Sequence, residues 1–228
     1  MSKKVVTAII LVAGNSTRFG KNRNKNFENI DGKEVFLYSL EKFNENSLID
    51  DMIIVCKKEE EDRVREIANK INLRKPLNFI IGGATRQESV YNAITSTTSE
   101  IVIIQDGARM MIKDKYIIDA ICEMDNFKGV SIAVKSKDTI KITDDEGIVK
   151  ETTLRKNTWV IQTPQCFDRK ILLEMHEKYM GDDTVTDDCM LMERSGNPVK
   201  LIEGEYSNIK VTTYDDLSLV RGYLTAEK

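Results

Sequence analysis

The sequence has few residues of the kinds that mark fibrous, disordered or disulfide-rich proteins. It contains 3 prolines and 12 glycines in 228 residues, which excludes collagen-like and low-complexity classes. Hydrophobic residues make up 41% of the chain, so disorder of the whole chain is excluded. The four cysteines are widely spaced and form no CxxC pair. This spacing disfavours a zinc site and predicts reduced thiols in a cytoplasmic protein.

An excess of positive charge is also absent. The 34 basic and 37 acidic residues give a formal net charge of −3, which argues against a general nucleic-acid or membrane binder. A local cluster of basic side chains could still bind an anionic substrate. The longest apolar run, Ala8–Ala13, is far shorter than the ~20 residues that cross a bilayer. The first residues also lack the pattern of a signal peptide.

Short apolar runs alternate with helical patterns through the first two-thirds of the chain. The runs are rich in β-branched residues and too short for helices, as is typical of buried strands. The predicted strands are Val5–Val12, Met52–Cys56, Phe79–Ile81, Ile101–Ile104 and Val130–Val134, and the predicted helices are Glu34–Asn46, Glu59–Ile71, Arg86–Ser96 and Lys115–Met124. Such strands are buried on both sheet faces. The expected fold is therefore α/β, with a Rossmann-like, predominantly parallel sheet flanked by helices.

The pattern changes after Val134. Thr139–Ile142 and Ile148–Thr152 alternate around an Asp/Gly-containing loop, which predicts a β-hairpin. A lone hairpin has too little core to be stable, so we expect a protruding arm, approximately residues 136–157, that packs on a partner subunit. Further predicted strands are Trp159–Gln162, Val199–Glu203 and Ile209–Thr212, and further helices are Asp168–Tyr179, Asp187–Ser195 and one from Tyr214. No linker divides the chain, so residues 1–228 are interpreted as one domain.

The loop after the first predicted strand carries four cations, Arg18, Lys21, Arg23 and Lys25. The spacings of the Walker A motif and of the G-x-G-x-x-G fingerprint both fail here. Small residues after a strand can wrap phosphates with backbone N–H groups. The loop therefore indicates either a polyanion site, such as one for a nucleoside triphosphate, or a solvated basic loop.

Two other segments place small or acidic residues after predicted strands. Gly82-Gly83 either permits close approach of a ligand or forms a turn before a helix capped by Thr85. Asp106 follows a buried strand, at the sheet edge where ligands bind, and could hold Mg²⁺ directly or through water. The alternative is a helix cap or a structural pair with Arg109.

Three residues later in the chain give weak signals on their own. Thr186 suits a helix N-cap as well as a ligand site. Lys210 could be a surface residue. His176 has polar neighbours on a predicted helix, so we expect it to be exposed and assign it no role.

Taken in order, these motifs resemble the 2-C-methyl-D-erythritol 4-phosphate cytidylyltransferase family, within the nucleotidyltransferases. The resemblance runs from Ala13 to about Leu217. Its elements are Ala13-Gly14…Arg18…Lys25, Gly82-Gly83…Arg86…Ser89-Val90, Asp106…Arg109, Asp138-Thr139-Ile140-Lys141, Arg155…Trp159…Gln162-Thr163-Pro164-Gln165, Thr186-Asp187-Asp188 and Asn208-Ile209-Lys210.

The resemblance implies an enzyme that transfers CMP from CTP to a polyol phosphate and releases pyrophosphate, with Mg²⁺ bridging the phosphates. It also implies a homodimer joined through the arm. The implied catalytic residues are Arg18, Lys25 and Lys210. The implied CTP-binding residues are Ala13, Gly14, Asn15, Ser16, Gly83, Arg86, Ser89, Asp106 and Gly107. The implied acceptor-binding residues are Asp106, Arg109, Thr139, Arg155, Thr163, Thr186 and Lys210, with Thr139, Arg155 and Thr163 reaching the acceptor from the neighbouring subunit's arm. Asp106 is the implied metal-binding residue.

The chain departs from the family pattern in three places. Ala84 stands where an acidic residue commonly follows the paired glycines. Asn24-Lys25-Asn26 stands where Pro-Lys-Gln is common. The missing proline predicts a freer loop around Lys25, and Lys21 is an alternative candidate for the catalytic role of Lys25. Gln105-Asp106-Gly107-Ala108-Arg109-Met110 replaces His-Asp-Ala-Ala-Arg-Pro. The favoured acceptor is 2-C-methyl-D-erythritol 4-phosphate, for isoprenoid precursor synthesis. The alternatives are ribitol 5-phosphate or another polyol phosphate for wall or capsule polymers, or a non-catalytic nucleotide-binding protein.

Overall fold

The computed structural model describes residues 4–14, 19 and 24–226. The strands in chain order are β1 (Val6–Leu11), β2 (Asn29–Ile30), β3 (Lys33–Glu34), β4 (Asp51–Cys56), β5 (Leu77–Ile81), β6 (Ile101–Asp106), β7 (Gly129–Lys135), β8 (Lys141–Thr143), β9 (Val149–Thr152), β10 (Trp159–Asp168) and β11 (Val199–Glu203). The α-helices are α1 (Val35–Glu45), α2 (Glu61–Ala68), α3 (Arg86–Thr95), α4 (Asp114–Glu123), α5 (Arg169–Lys178), α6 (Asp188–Arg194) and α7 (Tyr214–Ala226). None of these helices is long and apolar enough to cross a membrane, within the ranges just given.

The central sheet has seven strands in the order β11-β7-β10-β6-β1-β4-β5. Neighbouring strands run parallel except for β10, which is antiparallel to both β6 and β7. The predicted α/β class with a predominantly parallel, helix-flanked sheet is therefore confirmed. The strand predicted at Trp159–Gln162 continues to Asp168, and its antiparallel register brings Thr163 beside the end of β6.

Both faces of the sheet are buried, which explains the continuous apolar runs in the sequence. In β1, Ala8 and Ile10 pack in a cluster that includes Phe36 and Leu40 of α1. Ile9 points to the opposite face, where α3, α5 and α6 cover the sheet. Successive side chains of a strand alternate between the two faces of the sheet. A strand covered on both faces therefore has mostly apolar residues at both sets of positions.

The predicted hairpin is present as the separate two-stranded sheet of β8 and β9. Its strands are shorter than predicted, and every residue in them is exposed. The contact with a partner subunit remains a prediction.

Two expectations from the sequence are wrong. Ile209–Thr212 is not a strand, because both edges of β6 are already paired, with β1 and β10. The segment instead crosses the end of the sheet, where the Val211 N–H donates to the Ala108 carbonyl at 2.9 Å. His176 is fully buried, although its sequence neighbours are polar, since its helix face packs on α6.

The burial of β10 gives a direct test of the sheet order. Phe167 is fully buried in the cluster beneath α3, α5 and α6, whereas Val160 on the same strand is 52% exposed. Phe167→Ala should lower the free energy of unfolding by about 3–5 kcal/mol, because it leaves a cavity. Val160→Ala is the control and should change it by no more than about 0.5 kcal/mol. Urea denaturation measures both, and equal losses would contradict this placement of β10.

Candidate active site

A cavity of about 570 Å³ opens at the carboxyl ends of β1, β4, β5 and β6. Ligands bind at this edge in open α/β sheets. The cavity is lined by nine of the residues that the resemblance implies for catalysis and CTP binding: Ala13, Gly14, Lys25, Gly83, Arg86, Ser89, Asp106, Gly107 and Lys210. The tertiary structure thus brings together segments from four separate parts of the chain. Asn15, Ser16 and Arg18 lie outside the described residues, as do the other loop cations Lys21 and Arg23.

A second cavity of about 540 Å³ adjoins the first. Of the predicted acceptor residues it contains Asp106, Arg109, Thr163, Thr186 and Lys210. Arg86, Asp106 and Lys210 line both cavities, so these three residues mark the junction between them. A reaction between two bound molecules would take place at such a junction.

The structure separates three residues that the sequence had grouped together. Thr163 lies in β10, outside the arm, and its hydroxyl accepts a hydrogen bond from the Asp106 N–H at 3.1 Å. Thr163 is thus part of the central sheet of the same chain, which corrects its expected place on the neighbouring subunit's arm. Thr139 and Arg155 are exposed, contact each other at 2.6 Å and line neither cavity.

Asp106 is a buried carboxylate surrounded by cations. The Lys210 ammonium lies 2.8 Å from its Oδ2 atom, and Arg109 Nε lies 3.6 Å from the same atom. Burial alone would raise the pKa of Asp106, but Lys210, Arg86 and Arg109 outweigh it and hold that pKa well below its usual range. Asp106 is therefore a carboxylate at neutral pH, and its main protein partner is Lys210.

Arg109 is anchored to the backbone on two sides. Its Nη1 donates to the Asn208 carbonyl at 2.8 Å, and its Nη2 donates to the Ile161 carbonyl at 3.3 Å. Asn208 is itself fully buried and donates to the Thr163 carbonyl at 3.0 Å. Arg109 and Asn208 together hold the irregular segment that carries Lys210 against β10.

Hydrogen bonds from two asparagines fix the turn that carries Lys25. The Asn24 Oδ1 atom accepts from the backbone N–H and the side-chain amide of Asn26, at 3.1 and 3.0 Å. The Asn24 amide donates to the Val12 carbonyl at 3.0 Å and to Glu60 at 2.9 Å. The freer loop expected from the missing proline is therefore not observed in this turn. A 3₁₀ turn begins at Lys25 and is tied directly to the end of β1.

Gly107 fits this arrangement because it has no side chain. A Cβ atom at position 107 would lie 2.9 Å from Asn26 Oδ1 and 2.9 Å from the Leu11 carbonyl oxygen, closer than real Cβ contacts. The departures at Asn26 and Gly107, far apart in the sequence, are thus in contact in the fold. Asn26 occupies the space that an alanine side chain would need.

Ser89 stabilises the glycine turn at the other side of the first cavity. Its hydroxyl accepts from the Gly83 N–H at 3.1 Å and donates to the Thr85 carbonyl at 2.8 Å. Thr85 caps α3, as one alternative from the sequence proposed. Since the Ser89 proton is already engaged, its hydroxyl can offer a ligand a lone pair more readily than a proton.

Some residues that line the cavities were missed in the sequence. Lys57, Lys58 and Glu59 follow β4 and line the first cavity. Gln165 and Glu193 line the second. The rule that identified Asp106, a polar residue directly after a buried strand, also applies to Lys57 and Lys58. Gln165 is part of a family motif noted in the sequence, but no role was assigned to it there. Glu193 carries no comparable signal, because the packing of α6 places it in the cavity.

Comparison with known proteins identifies the family. The family model for 2-C-methyl-D-erythritol 4-phosphate cytidylyltransferase (IspD) matches residues 6–226. The chain belongs to this family. The expected resemblance is thereby confirmed over nearly the whole chain.

Individual IspD relatives show the same correspondence. The chain is 40% identical over 223 residues to 2-C-methyl-D-erythritol 4-phosphate cytidylyltransferase of Caldanaerobacter subterraneus, covering 96% of this chain and 98% of the relative. It is 40% identical to the enzyme of the same name from Clostridium novyi, covering 93% of both chains. The crystal structure of 4-diphosphocytidyl-2C-methyl-D-erythritol synthase from Anaerococcus prevotii superposes with a TM-score of 0.87 at 34% identity, covering 98% of this chain and 100% of that one.

The hydrogen bonds around Lys25 can be tested through stability. Asn24→Ala should lower the free energy of unfolding by about 1–3 kcal/mol, since buried partners lose their hydrogen bonds. Asn29→Ala is a matched control, because the side chain of Asn29 is exposed and accepts a turn hydrogen bond from the Gly32 N–H. It should change stability by no more than about 0.5 kcal/mol. If thermal or urea unfolding gives the same loss for both variants, the asparagine network does not fix the turn.

Proposed function

We propose that this chain transfers the cytidylyl group of CTP to 2-C-methyl-D-erythritol 4-phosphate and releases pyrophosphate. The observation that carries the proposal is the pair of adjoining cavities with Arg86, Asp106 and Lys210 at their junction. The names of the IspD relatives support the choice of substrates. Free thiols at all four cysteines, three of them buried, support a cytoplasmic location.

The first cavity suits the nucleotide and the second suits the acceptor. Gly14, which lines the first cavity, has open space where a side chain would lie, so a ligand can approach its backbone closely. The second cavity is lined by Thr163 and Thr186, beside Arg109 and Lys210. In this arrangement the α-phosphate of CTP lies at the junction, within reach of an acceptor phosphate.

The reaction is a direct displacement at the α-phosphorus. An oxygen of the acceptor phosphate forms the new P–O bond while the bond to the leaving pyrophosphate breaks. Phosphate monoesters have a second pKa of about 6, so the attacking oxygen needs no general base at neutral pH. Asp106, whose pKa is held low by its cationic neighbours, keeps Lys210 in place and takes no proton.

Fixed cations stabilise the charge that develops during this displacement. Lys25 lines the nucleotide cavity, and Lys210 lies at the junction. Charges preorganised around the transferring phosphoryl group lower the barrier because they need no reorganisation during the reaction. Arg18, outside the described residues, is proposed to assist from the same loop.

Mg²⁺ is proposed as the cofactor. Within residues 4–14, 19 and 24–226, no group of three His, Cys, Asp or Glu side chains could hold a metal ion. Mg²⁺ is commonly held by one or two carboxylates together with substrate phosphates, and the single carboxylate of Asp106 fits that pattern. When bound, the ion would neutralise phosphate charge, with Asp106 as its protein ligand directly or through water.

The arm is proposed to join two subunits and to complete the acceptor site. It exposes a group of apolar side chains: Ile140, Ile142, Ile148, Val149 and Leu154. A second copy of the chain would cover these side chains. Arg155 and Thr139, which line neither cavity of their own protomer, would then be available to the acceptor phosphate of the partner.

An activity panel tests the function and the role of Lys25. The protein is incubated with CTP, Mg²⁺ and either 2-C-methyl-D-erythritol 4-phosphate or ribitol 5-phosphate, and pyrophosphate release is measured. Release is expected with the erythritol phosphate and should stop when EDTA is added.

Lys25→Ala should lower kcat by about 100-fold or more with little change in CTP affinity. Lys128→Ala, which lines neither cavity, is the control and should leave kcat unchanged.

Other outcomes of this panel would reject parts of the proposal. Release with ribitol 5-phosphate alone would reject the acceptor, and CTP binding without turnover would indicate a nucleotide-binding protein. Full activity in EDTA would reject Mg²⁺. An unchanged kcat in Lys25→Ala would remove Lys25 from the mechanism.

Two substitutions test the arm. Ile148→Glu should convert a dimer to monomers in analytical ultracentrifugation, whereas Ile118→Glu, an exposed isoleucine on α4, should not. Arg155→Ala should raise the KM of the acceptor and leave the KM of CTP near normal. A monomeric wild-type protein, or an equal rise in both KM values, would refute the proposed role of the arm.

A further inference from the structure

A chain of hydrogen bonds links three helices to the junction of the two cavities. Arg86 is the first residue of α3, Asp188 is the first residue of α6, and His176 lies on α5. Arg86 Nη1 donates to Asp188 Oδ2 at 2.7 Å, and His176 Nε2 lies 3.0 Å from Asp188 Oδ1. Each oxygen of the Asp188 carboxylate therefore has its own partner.

The buried end of this chain is shielded from water, and the other end is not. The side chains of His176 and Asp188 are 0% and 2% exposed, whereas that of Arg86 is 33% exposed. Arg86 is also one of the three residues that line both cavities. The guanidinium is thus held from behind by Asp188 while part of it faces the site.

Asp188 and Arg86 are both charged. Burial would raise the pKa of Asp188, but Arg86 and His176 outweigh it and lower that pKa to about 2. Burial likewise opposes the charge of Arg86, yet Asp188 and Asp106 raise its pKa above the ordinary value. A buried carboxylate of this kind is tolerated because it is paired and hydrogen-bonded.

The surroundings of His176 indicate which ring nitrogen donates a hydrogen bond. Its Nδ1 atom is buried and has no hydrogen-bond partner in the described part of the chain. A proton on Nδ1 would be a buried donor without an acceptor, which is costly. Nε2 is therefore assigned a proton, which it donates to Asp188 Oδ1.

Asp188 also gives Arg86 a carboxylate partner other than Asp106. Asp106 attracts Arg86 electrostatically, but it is already paired with Lys210. Without Asp188, Arg86 would be attracted mainly to Asp106, the next strongest of the carboxylates that raise its pKa, and would compete there with Lys210. Holding Arg86 on a separate carboxylate leaves both cations at the junction.

We propose that Asp188 and His176 are positioning residues that hold the Arg86 guanidinium between the two cavities, where one cation can reach the phosphates of both bound substrates. This role rests on the proposed function. Asp188 and His176 are buried and do not line the first cavity. They would therefore affect turnover only through Arg86.

A double-mutant cycle separates this role from a purely structural one. Arg86→Ala and Asp188→Asn should each lower kcat about tenfold or more. If Asp188 acts through Arg86, adding Asp188→Asn to Arg86→Ala should lower kcat by less than about twofold further. Equal effects of Asp188→Asn in the two backgrounds would overturn the proposal. Asp182→Asn breaks the more exposed Arg194–Asp182 ion pair at the far end of α6 and should leave kcat unchanged.

Two substitutions at His176 keep the test open if Asp188→Asn does not fold. His176→Gln retains an amide donor for Asp188, and His176→Phe removes the donor while filling the same space. We expect kcat near that of the wild type for His176→Gln and a loss of about fivefold or more for His176→Phe, with a smaller loss in the Arg86→Ala background. Equal kcat values for the two variants would remove His176 from the proposal.

The wild-type assay distinguishes this inference from the proposed function. If the wild-type protein releases no pyrophosphate with any acceptor, the proposed function fails. The double-mutant cycle is then repeated with the affinity for CTP, measured by calorimetry, in place of kcat. Coupled losses for Arg86→Ala and Asp188→Asn would still support the positioning role, and additive losses would overturn it.

Discussion

A buried carboxylate at the carboxyl end of β6 constrains the charged groups around it. Asp106 can remain ionised in this position only because cations surround it, and the nearest of them is Lys210 at 2.8 Å. The pairing fixes the irregular segment before α7 across the end of the sheet. Arg109, bonded to backbone carbonyls of β10 and of that segment, holds the two sides together. The junction between the cavities depends on this cluster.

The antiparallel strand β10 creates the second cavity beside the first. It lies between β6 and β7, where a purely parallel sheet would continue, and it carries Gln162, Thr163 and Gln165 to the end of β6. Nucleotide and acceptor could therefore bind on adjoining parts of one sheet edge. The departures of this chain from the family pattern are compensated in the same region, because Asn24 and Asn26 tie down the Lys25 turn and Gly107 makes room for Asn26.

The buried strands and the helices could be predicted because each leaves a local pattern. A strand covered on both faces is a continuous apolar run, and a helix such as α1 repeats its apolar residues every three or four positions. The carboxyl ends of those strands then indicate where Ala13, Gly83 and Asp106 would meet. The interpretation failed where no local pattern carries the information. Ile209–Thr212 alternates like a strand, but it lies at the end of β6, both of whose edges are already paired.

The sequence by itself determined the α/β class, the strands of the parallel part of the sheet and the family, because these depend on residue types at short spacings. Only the tertiary structure decided the direction of β10, the burial of His176 and the pairing of Arg86 with Asp188 across 102 positions of the chain. The contact between Asn26 and Gly107 was also decided only by the tertiary structure. Such contacts join residues from distant segments, and their free energy depends on distances and burial that no single stretch of sequence encodes.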